Sequence, residues 1–526
     1  VLVLEQHYKA GGLATWFKRP GRHLFDVSLH GFPAAMMRSC RRYWSDELAQ
    51  QIVPLRALRF LTPQYDLTTS FDWQHSQEVL RGHFGLSPQA VQGFHEALLQ
   101  VAKQPPAASP PPPTTQALFE AYFPGRPDVH RFLLEPIAYA NGSTLEDPAF
   151  TFATVWLNFM AQGAWIFQGG ADHIIGQMVA LLKAQGVQVR TRSAAQRIVL
   201  QPDGAGYRVA AVVVDGQAVQ ARAVVSNASL SSTLFDLVGP AYLPEPLLQQ
   251  ARAVRLNTSS CQVYLGLKPD YSLTDQGDLV FMSQNPDFST EELTRLGTRS
   301  RAFSFYYPHH RPQVPDARCA VVASMNATWE AWAHLTPDAY QEEKAKLIDA
   351  TLQDLGQLIP GIREHINWSE AATPKTLHRY TRHPQGVAFG TKYEGLAVSK
   401  ALPQAIGGLC HAGSVGIIMS GWLGAMNYGV IGANTLAGYL ARYPKQATLA
   451  QTPAGETPAK PSVPLRALAT LGPLGAPGPL AAQAVPGGAS ARPCAPFPAG
   501  LCTGAPSPTP PEPSALVHTG QGGHPP

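Results

Sequence analysis

The chain has 526 residues, enough for two or three domains around sizeable cores. Only 14% of the residues are charged, against about a quarter in ordinary soluble proteins, and the formal net charge is +4, which excludes a nucleic-acid binder led by a basic face. Residues 451–526 hold 18 of the 48 prolines and only five charges; the remaining body is still charge-poor, which points to a lipophilic ligand, a membrane-surface habit or both.

Residues 1–4 (VLVL) followed by Glu5 read as a short parallel strand buried on both faces and ending in a carboxylate, with a Gly11-Gly12 turn after it. Residue 1 is a Val inside this run, so the sequence is expected to begin partway through a larger protein. From 43 to about 101 the apolar spacing is mostly helical, and QPPAASPPPP at 104–113 breaks it as a surface loop. Helical patterning resumes at 115–140 and 150–160 and leads to WIFQGG at 165–170, where a sharp turn is expected.

A helix over 172–185 closed by Gly186 precedes strands at 187–190, 197–200, 207–214 and 223–225, with a turn at Asp215-Gly216. A second sheet is expected from strands at 261–267, 279–282, 302–307 and 320–325, followed by a helix over 337–355. GLCHAG at 408–413 leads into a glycine-spaced helix reaching about 440. Residues 411–440 carry no Asp, Glu, Lys or Arg, long enough to raise a membrane-spanning reading, but the internal glycines with Asn427, Asn434 and Thr435 favour a buried helix. Beyond about 445 the charge-poor Pro/Gly/Ala tract is expected to be disordered and dispensable for stability.

A strand, Glu5 and a glycine turn suit the second strand of a Rossmann-type unit, where the carboxylate accepts from adenosine ribose hydroxyls; a solvated Glu at a strand end is the alternative on these residues alone. Gly413 and Gly416 would let backbone approach a ring system, with N–H groups at the start of a helix at Ile417 facing its electron-rich side; glycines serving only helix–sheet packing are the alternative. His309-His310 lacks a third ligand at useful spacing, and six scattered cysteines without a CxxC pair indicate reduced thiols, so no metal site is expected. Phe303, Phe305, Tyr306 and Tyr307 would line the second sheet, and Trp156, Phe159, Trp165 and Phe167 suit a ligand channel or a core equally.

Three blocks, VLVLEQHYKAGGLATWFKRPGRHLFD, WIFQGGADHIIGQMVALLKAQGVQVRTRSAAQRI through VVSNAS, and LCHAGSVGIIMSGWLGAMNYGVIGAN, resemble the phytoene-desaturase-like flavoproteins, the carotenoid desaturase, carotenoid isomerase and retinol saturase group within the flavin amine oxidase fold. TPKTLHRYTRHPQGVAFG resembles the approach to the third block, and together the likeness covers about residues 1–445. It implies an α/β protein with FAD as cofactor: a Rossmann-like FAD-binding domain from 1–43, 162–258 and 370–445, interleaved with a mixed α+β substrate domain from 44–161 and 259–369, and a disordered Pro-rich tail at 446–526. Glu5 would hold ribose, Gly11, Gly12 and Leu13 would pass beside the pyrophosphate and ribityl chain, Ala195 would meet the adenine, and Gly413, Ser414, Gly416 and Ile417 would face the flavin. The family's first strand and glycine fingerprint are absent from this sequence, from which weak FAD binding is expected, and Ser414 stands where many relatives have Asp.

The implied function is flavin-dependent desaturation, saturation or isomerisation of a carotenoid or similar lipophilic polyene at a membrane surface, in an intracellular compartment that would be a plastid in a photosynthetic eukaryote. A flavin amine oxidase and a non-catalytic lipid-binding scaffold on the same fold are the alternatives. No catalytic side chain is assigned.

Overall fold

The computed structural model describes residues 1–28, 31–103, 112–160 and 162–443. The expected Pro-rich tail and all but the end of the expected 104–113 loop lie outside the described residues.

The largest sheet has seven strands in the order Ile366–Ala372, Ser259–Leu267, Ala320–Ala327, Ser300–Tyr306, Leu279–Ser283, Leu58–Leu61 and Asp66–Thr69. All four strands expected between 261 and 325 are in it. The alternation in these strands sends Val263, Phe303, Val321 and Ala323 to one face, where they are fully buried beneath the helix Pro337–Leu358. That helix starts as its sequence dictates, with the Thr336 hydroxyl accepting the Ala339 N–H at 3.3 Å and Pro337 at the first position.

On the other face, Phe60 packs against Phe132 and Phe281 at ring-centroid distances of 5.3 Å and 5.5 Å. This apolar end of the sheet lies beneath the helices Pro88–Val101, Thr115–Tyr122, Pro127–Asn141 and Ala149–Phe159. Each fully buried Phe contributes about 1.5–3 kcal/mol relative to exposure.

The mostly helical reading of 43–101 needs correction. Helices occupy Asp46–Gln50, Trp73–Gly82 and Pro88–Val101, but Ile52–Pro54, Leu58–Leu61 and Asp66–Thr69 are strands. Leu58 and Phe60 are fully buried while Arg59 is not, a period of two that parallel pairing with Leu279–Met282 selects over the helical alternative.

Two short parallel ribbons complete the α/β architecture: Leu2–Leu4 pairs with Gln188–Arg190, and Val224–Ser226 with Leu409–His411. The helix Gly170–Ala184 feeds the first ribbon through Gly186 (φ 77°), whose left-handed backbone lets the Val187 N–H reach the Leu182 carbonyl at 3.0 Å. Among the described residues Leu2–Leu4 has a partner strand on one side. The strands Ala195–Asp203, Gly206–Val214 and Gln217–Gln220 form an antiparallel meander, its second turn made by Asp215 (φ 51°) and Gly216 (φ 74°) as type I′ geometry requires.

The C-terminal helix also departs from expectation. It spans Gly421–Arg442, not from Ile417, because Gly416 (φ 62°) and Ile417 (φ 61°) are both left-handed and close a separate turn through Ser420 N–H to Ile417 carbonyl at 3.0 Å. Nor is it encased: Tyr428, Gly432 and Leu436 are its buried residues. No described helix is long and apolar enough to cross a membrane.

Candidate cofactor and ligand cavity

A cavity of about 1750 Å³ runs from the Leu2–Leu4 ribbon to the seven-stranded sheet. Small-molecule sites are commonly about 300–1000 Å³, so this one has room for a cofactor and a second ligand together.

Its first wall is built by Glu5. The Glu5 N–H donates to the Arg190 carbonyl at 2.8 Å and the Glu5 carbonyl accepts from Ser193 N–H at 2.9 Å, which brings the segment reaching Ala195 alongside the carboxylate. Glu5 Oε1 accepts the His7 N–H at 2.8 Å, leaving Oε2 for a ligand. Gly11 (φ 121°) turns tightly, since a Cβ there would lie 2.5 Å from the Ala14 carbonyl, whereas a Cβ on Gly12 (φ 60°) would meet nothing within 4 Å. Glu5, Gly11, Gly12, Leu13, Ala195 and Ser414 all line the cavity.

Gly413, Gly416 and Ile417 do not line it. A Cβ on Gly413 would stand 2.4 Å from the Ala228 carbonyl, and one on Gly416 would stand 2.8 Å from Leu396 Cβ. Ile417 is buried. These three positions hold the third block tightly against its neighbours. Asn227 Nδ2 donates to the Ala412 carbonyl at 2.9 Å, and His411 Nε2 donates to the Ala228 carbonyl at 3.0 Å. With Nε2 the donor, His411 Nδ1 accepts from Ser399 Oγ at 2.7 Å, and burial pushes the imidazole down to about 4.

Asp26, the acid of the F-D pair in the first block, does not line this cavity. It caps the helix Gly170–Ala184 through Ala171 N–H at 3.1 Å and pairs with Arg311 at 2.8 Å. Gly170 is explained by the same contact, because a Cβ there (φ 80°) would collide with the Arg311 guanidinium at 2.3 Å, whereas a Cβ on Gly169 (φ 99°) would meet the His173 ring at 2.7 Å. Nothing in the local sequence pattern joins Arg311 to Asp26.

Among the aromatic candidates, Phe159 lines the cavity, Trp156 is core at 1% exposure, and Phe303 and Phe305 lie in the core beneath the opposite sheet face. Tyr306 donates to the Ser28 carbonyl at 2.9 Å. The described cysteines, Cys40, Cys261, Cys319 and Cys410, are free and buried, and no group of three or more His, Cys, Asp or Glu among the described residues could hold a metal ion. Sequence reasoning missed Glu135, a fully buried carboxylate on the helix Pro127–Asn141 whose oxygens accept no hydrogen bond among the described residues. Burial pushes it up to about 7; Arg131, 3.9 Å away, pulls the other way, and Glu292 adds to the rise.

A free carboxylate oxygen at a parallel strand end, an open glycine turn beside it and an uncrowded volume beyond are what a dinucleotide needs, so the residues present fit FAD. The comparisons with known proteins agree. The chain is 24% identical over 290 residues to an all-trans-retinol 13,14-reductase of Danio rerio, covering 50% of this chain and 47% of that protein. It is 23% identical over 219 residues to a chloroplastic prolycopene isomerase of Arabidopsis thaliana, covering 41% and 36%. The matches thus span less than half the length of these curated relatives. The fold is shared with cyclohexylamine oxidase from Brevibacterium oxydans, at a TM-score of 0.57 and 15% identity over 84% of this chain and 94% of that one. The profile of the flavin containing amine oxidoreductases matches residues 1–426, and the chain belongs to that family, with FAD as its cofactor.

Proposed function

We propose that the protein is an FAD-dependent oxidoreductase that desaturates, saturates or isomerises a carotenoid or similar lipophilic polyene. The observation that carries this reading is the cavity itself, which continues from the Glu5 wall between apolar side chains including Leu55, Phe71, Ile137, Phe159 and Met160. The names of the two curated relatives, a retinol reductase and a prolycopene isomerase, support the same substrate class.

Bound FAD would supply hydride acceptance or donation at its ring. Glu5 would hold the adenosine ribose, the backbone at Gly11, Gly12 and Leu13 would pass beside the pyrophosphate and ribityl chain, and Ala195 would border the adenine. Ser414 would hydrogen-bond a ribityl hydroxyl, with Gly413, Gly416 and Ile417 shaping the turn that presents it. The apolar walls would align the polyene and exclude water. In this reading residues 1–43, 162–258 and 370–445 form the cofactor domain, and 44–161 and 259–369 the substrate domain.

The test is product analysis of the FAD-supplemented protein with a carotenoid, a retinoid and an aliphatic amine, each with and without liposomes. Conversion of a polyene, raised by liposomes, is expected, in keeping with the proposed membrane-surface habit. Turnover of the amine alone, indifferent to liposomes, would favour the amine-oxidase reading instead.

A further inference from the structure

We infer that the substrate carries a neutral oxygen group, a hydroxyl or carbonyl, which is held by a polar strip on the floor of the cavity at Ser260, Gln262 and Asn326. This rests on the lipophilic-substrate reading above and narrows it.

The strip follows from strand register. One row across the seven-stranded sheet runs Phe281, Ala302, Ser324, Gln262 and Ala372, and in the next row Asn326 lies opposite Ser260. In an antiparallel sheet with one apolar face, polar residues on the other face ordinarily meet water. Here they do not: Ser260, Gln262 and Asn326 are 7%, 6% and 6% exposed, and all three line the cavity.

Their mutual hydrogen bonds leave capacity unused. Ser324 Oγ donates to Gln262 Oε1 at 2.6 Å, Gln262 Nε2 donates to Ser260 Oγ at 3.3 Å, and Asn326 Nδ2 donates to the Ala138 carbonyl at 3.0 Å. The second Gln262 N–H, the Ser260 hydroxyl proton and Asn326 Oδ1 then have no partner among the described residues. A purely hydrocarbon ligand lying on this floor would leave two donors and an acceptor buried and unpaired, at a cost in affinity. One oxygen atom bearing a proton can accept from Gln262 or Ser260 and donate to Asn326. An ammonium group is a poorer fit, since the strip has no carboxylate, and Glu370, opposite Tyr264 in the neighbouring row, is already paired with Arg19 at 2.9 Å.

The test is equilibrium binding of all-trans-retinol and of its deoxy hydrocarbon analogue to the full chain in excess FAD, followed by fluorescence. The alcohol is expected to bind about tenfold or more tighter. In Gln262→Leu that preference should shrink toward one while the hydrocarbon binds no worse, and Ser260→Ala should give a partial loss if Gln262→Leu does not fold. Equal affinity of the wild-type protein for both probes overturns the inference and leaves the lipophilic reading standing. Failure of both probes to bind overturns the lipophilic reading and the inference with it.

Discussion

Asp26 and Arg311 form an ion pair at 2.8 Å between side chains that are 6% and 9% exposed, and Asp26 also accepts the Ala171 N–H at 3.1 Å. One carboxylate therefore closes the start of a helix and neutralises a guanidinium from the loop that follows the Ser300–Tyr306 strand. Burial alone would lower the affinity of Arg311 for its proton; Asp26 and Asp172 more than reverse this and raise it. Asp26→Asn should lower unfolding free energy by about 3–5 kcal/mol, the usual cost of stranding a buried charge. Urea unfolding would read this directly, and a loss under about 1 kcal/mol would show that Asp172 suffices.

Glu135 and His411 give stability opposite dependences on pH. Glu135 titrates near 7 in the fold against an ordinary 4.5, so its contribution is complete below about 4.5 and is lost as pH rises through about 7. His411 titrates near 4 against 6.5, so its contribution is present above about 6.5 and is lost as pH falls through about 4. Glu135→Gln should therefore gain stability relative to wild type progressively from about pH 5 to pH 7.5. A difference that stays constant across that range would remove Glu135 as the titrating group.

Glu5→Ala should weaken FAD binding by about 1–3 kcal/mol, since it deletes a charged acceptor for the ribose hydroxyls. Flavin fluorescence titration at fixed salt measures it. Unchanged affinity would mean that the carboxylate serves only the His7 N–H, with which it already bonds at 2.8 Å.

Gly413→Ala tests whether that glycine serves packing or touches the cofactor. With a Cβ forced to 2.4 Å from the Ala228 carbonyl, the variant should lose about 1–3 kcal/mol of stability even without FAD. Normal stability combined with lost flavin affinity would instead assign Gly413 to the cofactor wall.

Four of the seven strands of the large sheet were legible from their own patterning, as in SSCQVYLGL, where Cys261, Val263 and Leu265 occupy one face. Leu58–Leu61 was not, because four residues carry too little periodicity to oppose a helical neighbourhood, and only one of their two pairing partners, Asp66–Thr69, is local, the other lying far along the chain. The wall residues from Glu5 to Leu13 could be picked out from one local motif, whereas Asp26 with Arg311 and the Ser260, Gln262 and Asn326 strip exist only through register and tertiary contact. Gly413 shows a further limit: a glycine needed beside a carbonyl and a glycine needed beside a ring look the same in sequence.

The pairing of Leu58 with Leu279 also sets a schedule for synthesis. At about 5–20 residues per second, a ribosome delivers the second strand roughly ten to forty seconds after the first. Through that interval the early strand, with Phe60 on it, has only its hairpin neighbour Asp66–Thr69 and no partner on its other edge, and completion of the sheet waits further for Ile366–Ala372. Long sequence separation of contacts slows folding because loop closure precedes its reward. The protein should therefore fold late in translation, and its yield in a heterologous host should respond to chaperone supply and slowed growth more than to codon choice near the start.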